Sequence, residues 1–184
     1  MIPLQICIFT LYTNLSIFLM IKKYRDTGAC GALLDEYENA LDELKGLVSE
    51  VTPELLIYIV DRITIDNYCR SIQTILTHVV SSGYNYVITI RNHLGESIEF
   101  QDNVILDEPE DYNSALSEMM NYTIQLIDDY PKMNLEESDN VKKLTTRWGQ
   151  MYNIEQLLEH AIVHVLRHRR QIERFLLHIN NKFQ

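Results

Sequence analysis

The sequence predicts an all-α protein: a four-helix bundle with long connections and one short connector helix. Four long segments carry apolar residues at the spacing of an amphipathic helix. The chain has only six Gly and four Pro among its 184 residues, so long regular elements should dominate over turns. Hydrophobic residues make up 46% and charged residues 23%, which is ordinary for one globular domain of this length.

The first predicted helix and the connector follow each other closely. The first helix runs from about Ala29 to Val48, with one apolar face and one acidic face. Thr52-Pro53-Glu54 then indicates a new helix start, because Thr is a good N-cap and Pro is favoured at the first helical position. We expect the connector helix to continue from there to about Ile59.

Three further long helices complete the predicted bundle. The second runs from about Asn67 to Leu94, with Tyr68 in its apolar stripe, and Gly95 can end it. The third runs from about Glu110 to Tyr130 and is stopped by Pro131. The fourth opens at the N-cap Asn153 and continues to about Asn180. Because long polar segments join these helices, the connections should gather at the ends of the bundle.

Residues 1–19 form an apolar extension before the predicted bundle domain, which spans residues 20–184. A signal peptide fits poorly, because the basic residues Lys22 and Lys23 follow the apolar region instead of preceding it. Three interpretations stay open: an over-extended gene start with Met20 as the first residue, a membrane anchor, or an extra packed element. The over-extended start is favoured, so membrane attachment is not expected.

Charge and cysteine usage narrow the class of protein. The net charge of −10 argues against nucleic acid as a partner, because phosphate binding needs a positive surface. The basic cluster between residues 167 and 174 is typical of a solvated helix face. The three cysteines are widely spaced and form neither a disulfide framework nor a C-x-x-C motif: Cys7, Cys30 and Cys69. A reducing, cytoplasmic location fits this pattern best.

Three histidines recur every four residues in the fourth predicted helix: His160, His164 and His168. This spacing puts neighbouring Cβ atoms about 6 Å apart on one side of the helix, so two imidazoles can bind one metal ion. On a helical wheel, His168 lies inside the apolar stripe and His164 on its margin. His160 lies a further ~40° toward solvent. His164 and His168 are therefore the better pair, although His160 in place of one of them stays open.

Two inward imidazoles need partners, because burying an unpaired polar group costs roughly 1–3 kcal/mol. A metal ion would supply one, and hydrogen bonds to neighbouring side chains or water are the alternative. The third ligand would come from His78, His93 or His178. His78 lies mid-helix beside the small polar residues Ser82 and Asn85, which could line a wet cavity. Its spacing fits an exposed helix histidine equally well.

The helix spacing and two motifs resemble those of the DinB/YfiT-like superfamily of metal-binding four-helix bundles. The motifs are SIQTILTHVV at residues 71–80 and His164-x-x-x-His168-Arg169-x-Gln171. The resemblance covers about residues 20–181 and implies His78, His164 and His168 as the ligands of a divalent metal ion. Two positions depart from the family pattern, in which a second histidine and a glycine are common: Arg167 and Arg170.

The resemblance also implies a function. It indicates a metal-dependent enzyme, either a thiol-dependent S-transferase of the bacillithiol or mycothiol type or a hydrolase. The partner would be a small-molecule thiol or an electrophilic substrate, and a homodimer is expected because family members commonly pair. Imidazoles suit several metals, of which zinc or nickel is expected first. The non-enzymatic alternative is a helical binding or structural module whose histidines hold a structural metal ion or none.

Overall fold

The computed structural model describes residues 24–183, and the predicted extension at residues 1–19 lies outside them. The described part forms five α-helices: α1 (Gly28–Val48), α2 (Pro53–Ile57), α3 (Ile72–His93), α4 (Pro109–Asp129) and α5 (Ile154–Phe183). The connections contain two 3-10 turns, Asn67–Cys69 and Asn140–Lys142, and an antiparallel pair of two-residue strands, Leu144–Thr145 with Met151–Tyr152. The prediction of an all-α fold is confirmed.

The four long helices close a ring around one core. Helix α1 packs against α4 and α5, and α3 packs against the same two helices from the other side. The side chains at the centre of this ring are fully buried: Leu44, Leu56, Ile72, Ile75, Leu76, Ile90, Leu116, Met119, Leu126, Leu157 and Ile172. Each such side chain contributes about 1.5–3 kcal/mol by leaving water. None of the helices in the described part is long and apolar enough to cross a bilayer.

Helix α3 begins later than the sequence indicated, at Ile72 instead of about Asn67. The Ser71 hydroxyl accepts a hydrogen bond from the Thr74 amide at 3.1 Å, and the Thr74 hydroxyl accepts one from the Ser71 amide at 3.0 Å. This reciprocal capping box satisfies two amides that no helical carbonyl reaches, and so fixes the first turn. Tyr68, which the sequence placed in the apolar stripe of this helix, therefore lies in the preceding 3-10 turn and is 45% exposed.

The ends of α2 and α5 follow the predicted signals closely. The Thr52 hydroxyl accepts a hydrogen bond from the Leu55 amide, with Pro53 at the first helical position, although α2 ends at Ile57, two residues before the predicted end. Asn153 caps α5 as predicted, with its side chain accepting from the Gln156 amide at 2.8 Å. Caps of this kind contribute about 1 kcal/mol each, which is enough to fix where a helix starts.

The connection before α5 is more ordered than its polar sequence suggested. Its two short strands pair Leu144 with Tyr152, and the turn between them contains Gly149 with a φ of +85°, a conformation that favours glycine. Buried Leu144 anchors the hairpin to the bundle. The turn consequently holds Trp148 against the side of the bundle where α3 and α5 meet.

Gly83 marks a close approach of α3 and α4. A Cβ atom at this position would collide with the side chain of Met119, which is completely buried. We expect Gly83→Ala to lower the free energy of unfolding, because overpacking costs about 1–3 kcal/mol. Alanine gains at most about 1 kcal/mol over glycine in helix propensity. Urea denaturation of the purified protein measures the difference.

Gly46→Ala is the matched control for this prediction. Gly46 lies in α1, and a Cβ atom there meets nothing within 4 Å. The same change should therefore raise the free energy of unfolding by up to about 1 kcal/mol. Equal stabilisation by both substitutions would contradict the close approach of α3 and α4.

Candidate metal centre

Three imidazoles from two helices meet between α3 and α5. The ligand nitrogens of His78, His164 and His168 all lie within 4.8 Å of one another. Nε2 of His78 is 3.0 Å from Nε2 of His164. Two nitrogens bound to one tetrahedral metal ion at 2.0–2.1 Å lie about 3.3 Å apart, so the group fits a divalent metal ion after small adjustments. The structure thus brings together the three residues proposed from the sequence, and their assignment as metal ligands stays a prediction.

The burial of the two histidines on α5 follows their positions on the helical wheel. His168 is only 2% exposed, and His164 is half-buried. His78 is also half-buried, which rules out the exposed position that its spacing allowed. Its ring stacks on that of Tyr68, with centroids 5.0 Å apart. The 3-10 turn before α3 therefore covers one face of the histidine group with an aromatic ring.

Burial keeps these imidazoles neutral. It lowers the pKa of His164 to about 2, with a further contribution from the positive charge that His168 would carry. It lowers the pKa of His168 to about 4, with a further contribution from His78. The pKa of His78 is also lowered, first by burial. A neutral imidazole has a lone pair for a metal ion, so the site is prepared for binding at neutral pH.

Hydrogen bonds outside the group orient two of its rings. Nδ1 of His168 lies 3.2 Å from Oε1 of Gln171. Because an amide oxygen only accepts, Nδ1 carries the proton and Nε2 is left for a metal ion. Gln171 also accepts a weaker bond from the Cys69 thiol, at 3.6 Å. The Ser82 hydroxyl lies 3.4 Å from Nδ1 of His78, which likewise leaves Nε2 facing His164.

The other histidines lie apart from this group. The ring of His160 is 6.3 Å from that of His164 and stacks on Trp148, with centroids 5.3 Å apart. His160 therefore does not replace either of its neighbours in the group. His93, at the end of α3, and His178, near the end of α5, are both exposed.

A cavity of about 550 Å³ opens beside the histidines. It lies between α3, α5 and the hairpin turn, and its walls near the histidine group are largely aromatic: His78, Tyr86, Trp148, His160 and His164. Tyr86 is buried, and this burial raises its pKa to about 12, so its hydroxyl keeps its proton and can donate to a ligand. A cavity of this volume holds a small organic molecule.

Sequence reasoning missed two side chains of this site. Tyr68 was assigned to the core face of a helix, because the capping box at residues 71–74 went unrecognised. Trp148 lay in a segment described only as a polar connection. Asp66, whose carboxylate accepts from the Tyr68 amide at 2.9 Å, was a usable signal for a capped turn at this place. No comparable signal in the sequence located Trp148 beside His160.

The fold and the site define the chain as a four-helix protein in which three histidines from two helices meet beside a cavity and could hold a metal ion. Comparison with known families assigns it further. The model of the DinB family matches residues 25–177, and the chain belongs to that family. This confirms the resemblance seen in the sequence. No curated protein is significantly similar to the chain.

Removal of one imidazole tests the metal assignment. We expect the purified protein to retain about one divalent metal ion per chain, and His164→Ala to lose most of it, because two ligands bind far more weakly than three. Elemental analysis after dialysis measures the metal content. His160→Ala should keep its metal, since that ring faces Trp148. Exposed His178 gives a second control with the same change, His178→Ala. Full occupancy in His164→Ala would reject the assignment.

Gln171 offers a test of the hydrogen bond behind the site. We expect Gln171→Met to weaken metal binding by about 10–100-fold, because the bond that fixes the ring and tautomer of His168 is lost. Titration against a competing chelator measures the change in Kd. Gln101→Met is the control, since Gln101 donates to Asn85 through its backbone amide only. Equal affinity of both variants for the metal ion would show that Gln171 does not orient the imidazole of His168.

Proposed function

We propose that the protein is a metal-dependent enzyme that transfers a small-molecule thiol onto an electrophilic substrate. One observation carries this proposal: two members of a group of three neutral imidazoles, His78 and His164, line the wall of a cavity large enough for a small molecule. Three protein ligands leave one coordination position for a reactant, whereas structural zinc sites are usually closed by four. The family assignment supports the same reading.

The chemistry follows from what a metal ion and the surrounding residues supply. A divalent ion held by His78, His164 and His168 would lower the pKa of a thiol or water beside it, so that this nucleophile releases its proton to solvent. In thiol transfer, the sulfur would then form a bond to the electrophilic carbon while the leaving group departs from that carbon with its bonding electron pair. Gln171 would keep His168 in the required tautomer. Tyr86 would donate a hydrogen bond to an oxygen of the substrate, and the rings of Tyr86 and Trp148 would keep water away from the reacting atoms.

The composition of the cavity favours a thiol over water as the nucleophile. Among the described residues that line it, none is an aspartate or glutamate that could act as a general base. Water needs a general base more than a thiol does, because a free thiol has a pKa of only about 8.5 and loses its proton far more readily than water. A hydrolase is the second candidate, since three histidines and one water also form the site of carbonic anhydrase.

A turnover assay tests this function. Metal-loaded protein is mixed with a small thiol such as N-acetylcysteine and the chromogenic electrophile 1-chloro-2,4-dinitrobenzene, and conjugate formation is followed by absorbance. We expect a rate above background that is lost in metal-free protein and in His164→Ala. His178→Ala should match the wild type, because this side chain is exposed and lies outside the cavity.

The other outcomes identify the alternatives. Hydrolysis of an activated ester in the absence of any thiol would indicate that the protein is a hydrolase and not a transferase. Metal binding without turnover over a panel of thiols, electrophiles and esters would indicate a non-catalytic helical module. A homodimer remains part of the proposal, and light scattering of the purified protein measures it.

A further inference from the structure

We propose that the cavity beside the histidines binds a small molecule carrying a carboxylate, which Arg147 and Arg167 recognise at the cavity mouth. This inference rests on the proposed function, since it names the charge of one reactant. Both arginines line the cavity together with Trp148 and His164, and both are exposed. No carboxylate side chain among the described lining residues opposes them. Two arginines without an ion-pair partner among residues 24–183 stand out in a chain whose net charge is −10.

The surroundings of Arg167 leave its charge available to a ligand. Within residues 24–183, no ion pair of Arg167 is formed, whereas its neighbour Arg169 pairs with Glu43 and Glu173. Arg167 directly precedes His168 on α5 and lines the same cavity as His78 and His164. Because this side chain is exposed, the hydrogen-bond donors of its guanidinium remain available at the cavity mouth.

Arg147 lines the same cavity from a different element, the hairpin turn. Its guanidinium carbon lies 4.8 Å from the centre of the Phe100 ring. Stacking on an aromatic ring holds a guanidinium plane in position, while the N–H groups in that plane can still donate to a ligand. No ion pair of Arg147 is formed in the described part of the chain. Two arginines on separate elements thus face one entrance.

The remaining walls indicate the rest of the ligand. A guanidinium binds a carboxylate through two parallel hydrogen bonds, and these charge-assisted bonds are about twice as strong as neutral ones. Buried Tyr86 and the partly exposed Trp148 add aromatic surface to the cavity. A ligand with an anionic end and an apolar or aromatic body fits this arrangement, and its uncharged end would point toward the histidines.

Trp148 provides a direct readout of binding, because it is the only tryptophan in the sequence and lines the cavity. Metal-loaded protein is titrated with benzoate, with the uncharged analogue benzamide, and with inorganic phosphate, and the fluorescence of Trp148 is recorded. Calorimetry repeats each titration, so that a change in Trp148 emission caused by a nearby substitution is not mistaken for lost binding. We expect saturable binding of benzoate and at least tenfold weaker binding of benzamide.

Substitution of each arginine assigns the contact. We expect Arg167→Gln and Arg147→Gln each to weaken benzoate binding by about tenfold or more, which is the range for a lost charge-assisted hydrogen bond. Arg170→Gln is the matched control: it removes the same charge from an exposed position on α5 that does not line the cavity. Its affinity for benzoate should equal that of the wild type.

Several results would overturn the inference. The first two are no binding of benzoate and equal binding of benzoate and benzamide. The third is an unchanged affinity for benzoate in both arginine variants, which would indicate that the carboxylate binds the metal ion alone. Tighter binding of phosphate than of benzoate would also reject a carboxylate ligand. Metal content and thiol transfer are measured on the same samples. If the protein catalyses no thiol transfer but still prefers benzoate over benzamide, only the enzyme proposal is refuted. If thiol transfer occurs without that preference, only the arginine site is refuted.

Discussion

The packing of α3 against α5 is the constraint on which the rest of the site depends. It brings Nε2 of His78 to 3.0 Å from Nε2 of His164, across 86 residues of sequence. The two helices pack together, and apolar residues of both belong to one buried core, among them Leu76 and Val79 on α3 and Leu157 and Val165 on α5. Because these side chains are almost completely buried, the two helices have little freedom to slide or rotate. The scaffold, and not the histidines, sets the distance between the rings.

The histidine group works against the stability of the same scaffold. Three imidazoles occupy positions where apolar side chains would pack without polar atoms, and burial makes their protonation unfavourable. Their nitrogens need partners, which the ring contacts, Gln171 and Ser82 supply only in part. A divalent metal ion would satisfy the nitrogens that face one another. Functional sites often carry such a cost, because binding or chemistry requires polar groups where the fold would favour apolar ones.

Irregular segments complete what the helices begin. The 3-10 turn at Asn67–Cys69 covers His78 with Tyr68, and the hairpin turn brings Trp148 against His160 and Tyr86. Both segments are fixed by capping and turn interactions and by a few anchors such as buried Cys69 and Leu144. The helices position the histidine group, while the connections shape the cavity and add a second arginine to its lining. Sequence changes in these connections can therefore alter which small molecule the cavity accepts without disturbing the helical bundle.

Helical periodicity and capping signals in the sequence determined the all-α class, the four long helices and the start of α5 at Asn153. They also placed His168 inside and His164 at the margin of one stripe, because the geometry of a single helix fixes which residues share a face. The sequence could not decide between a buried and an exposed His78, nor locate Tyr68 and Trp148. These outcomes depend on which helices become neighbours and on where the connections fold back. Contacts between residues far apart in the chain are set by the packing of the whole core, so only the tertiary structure decided them.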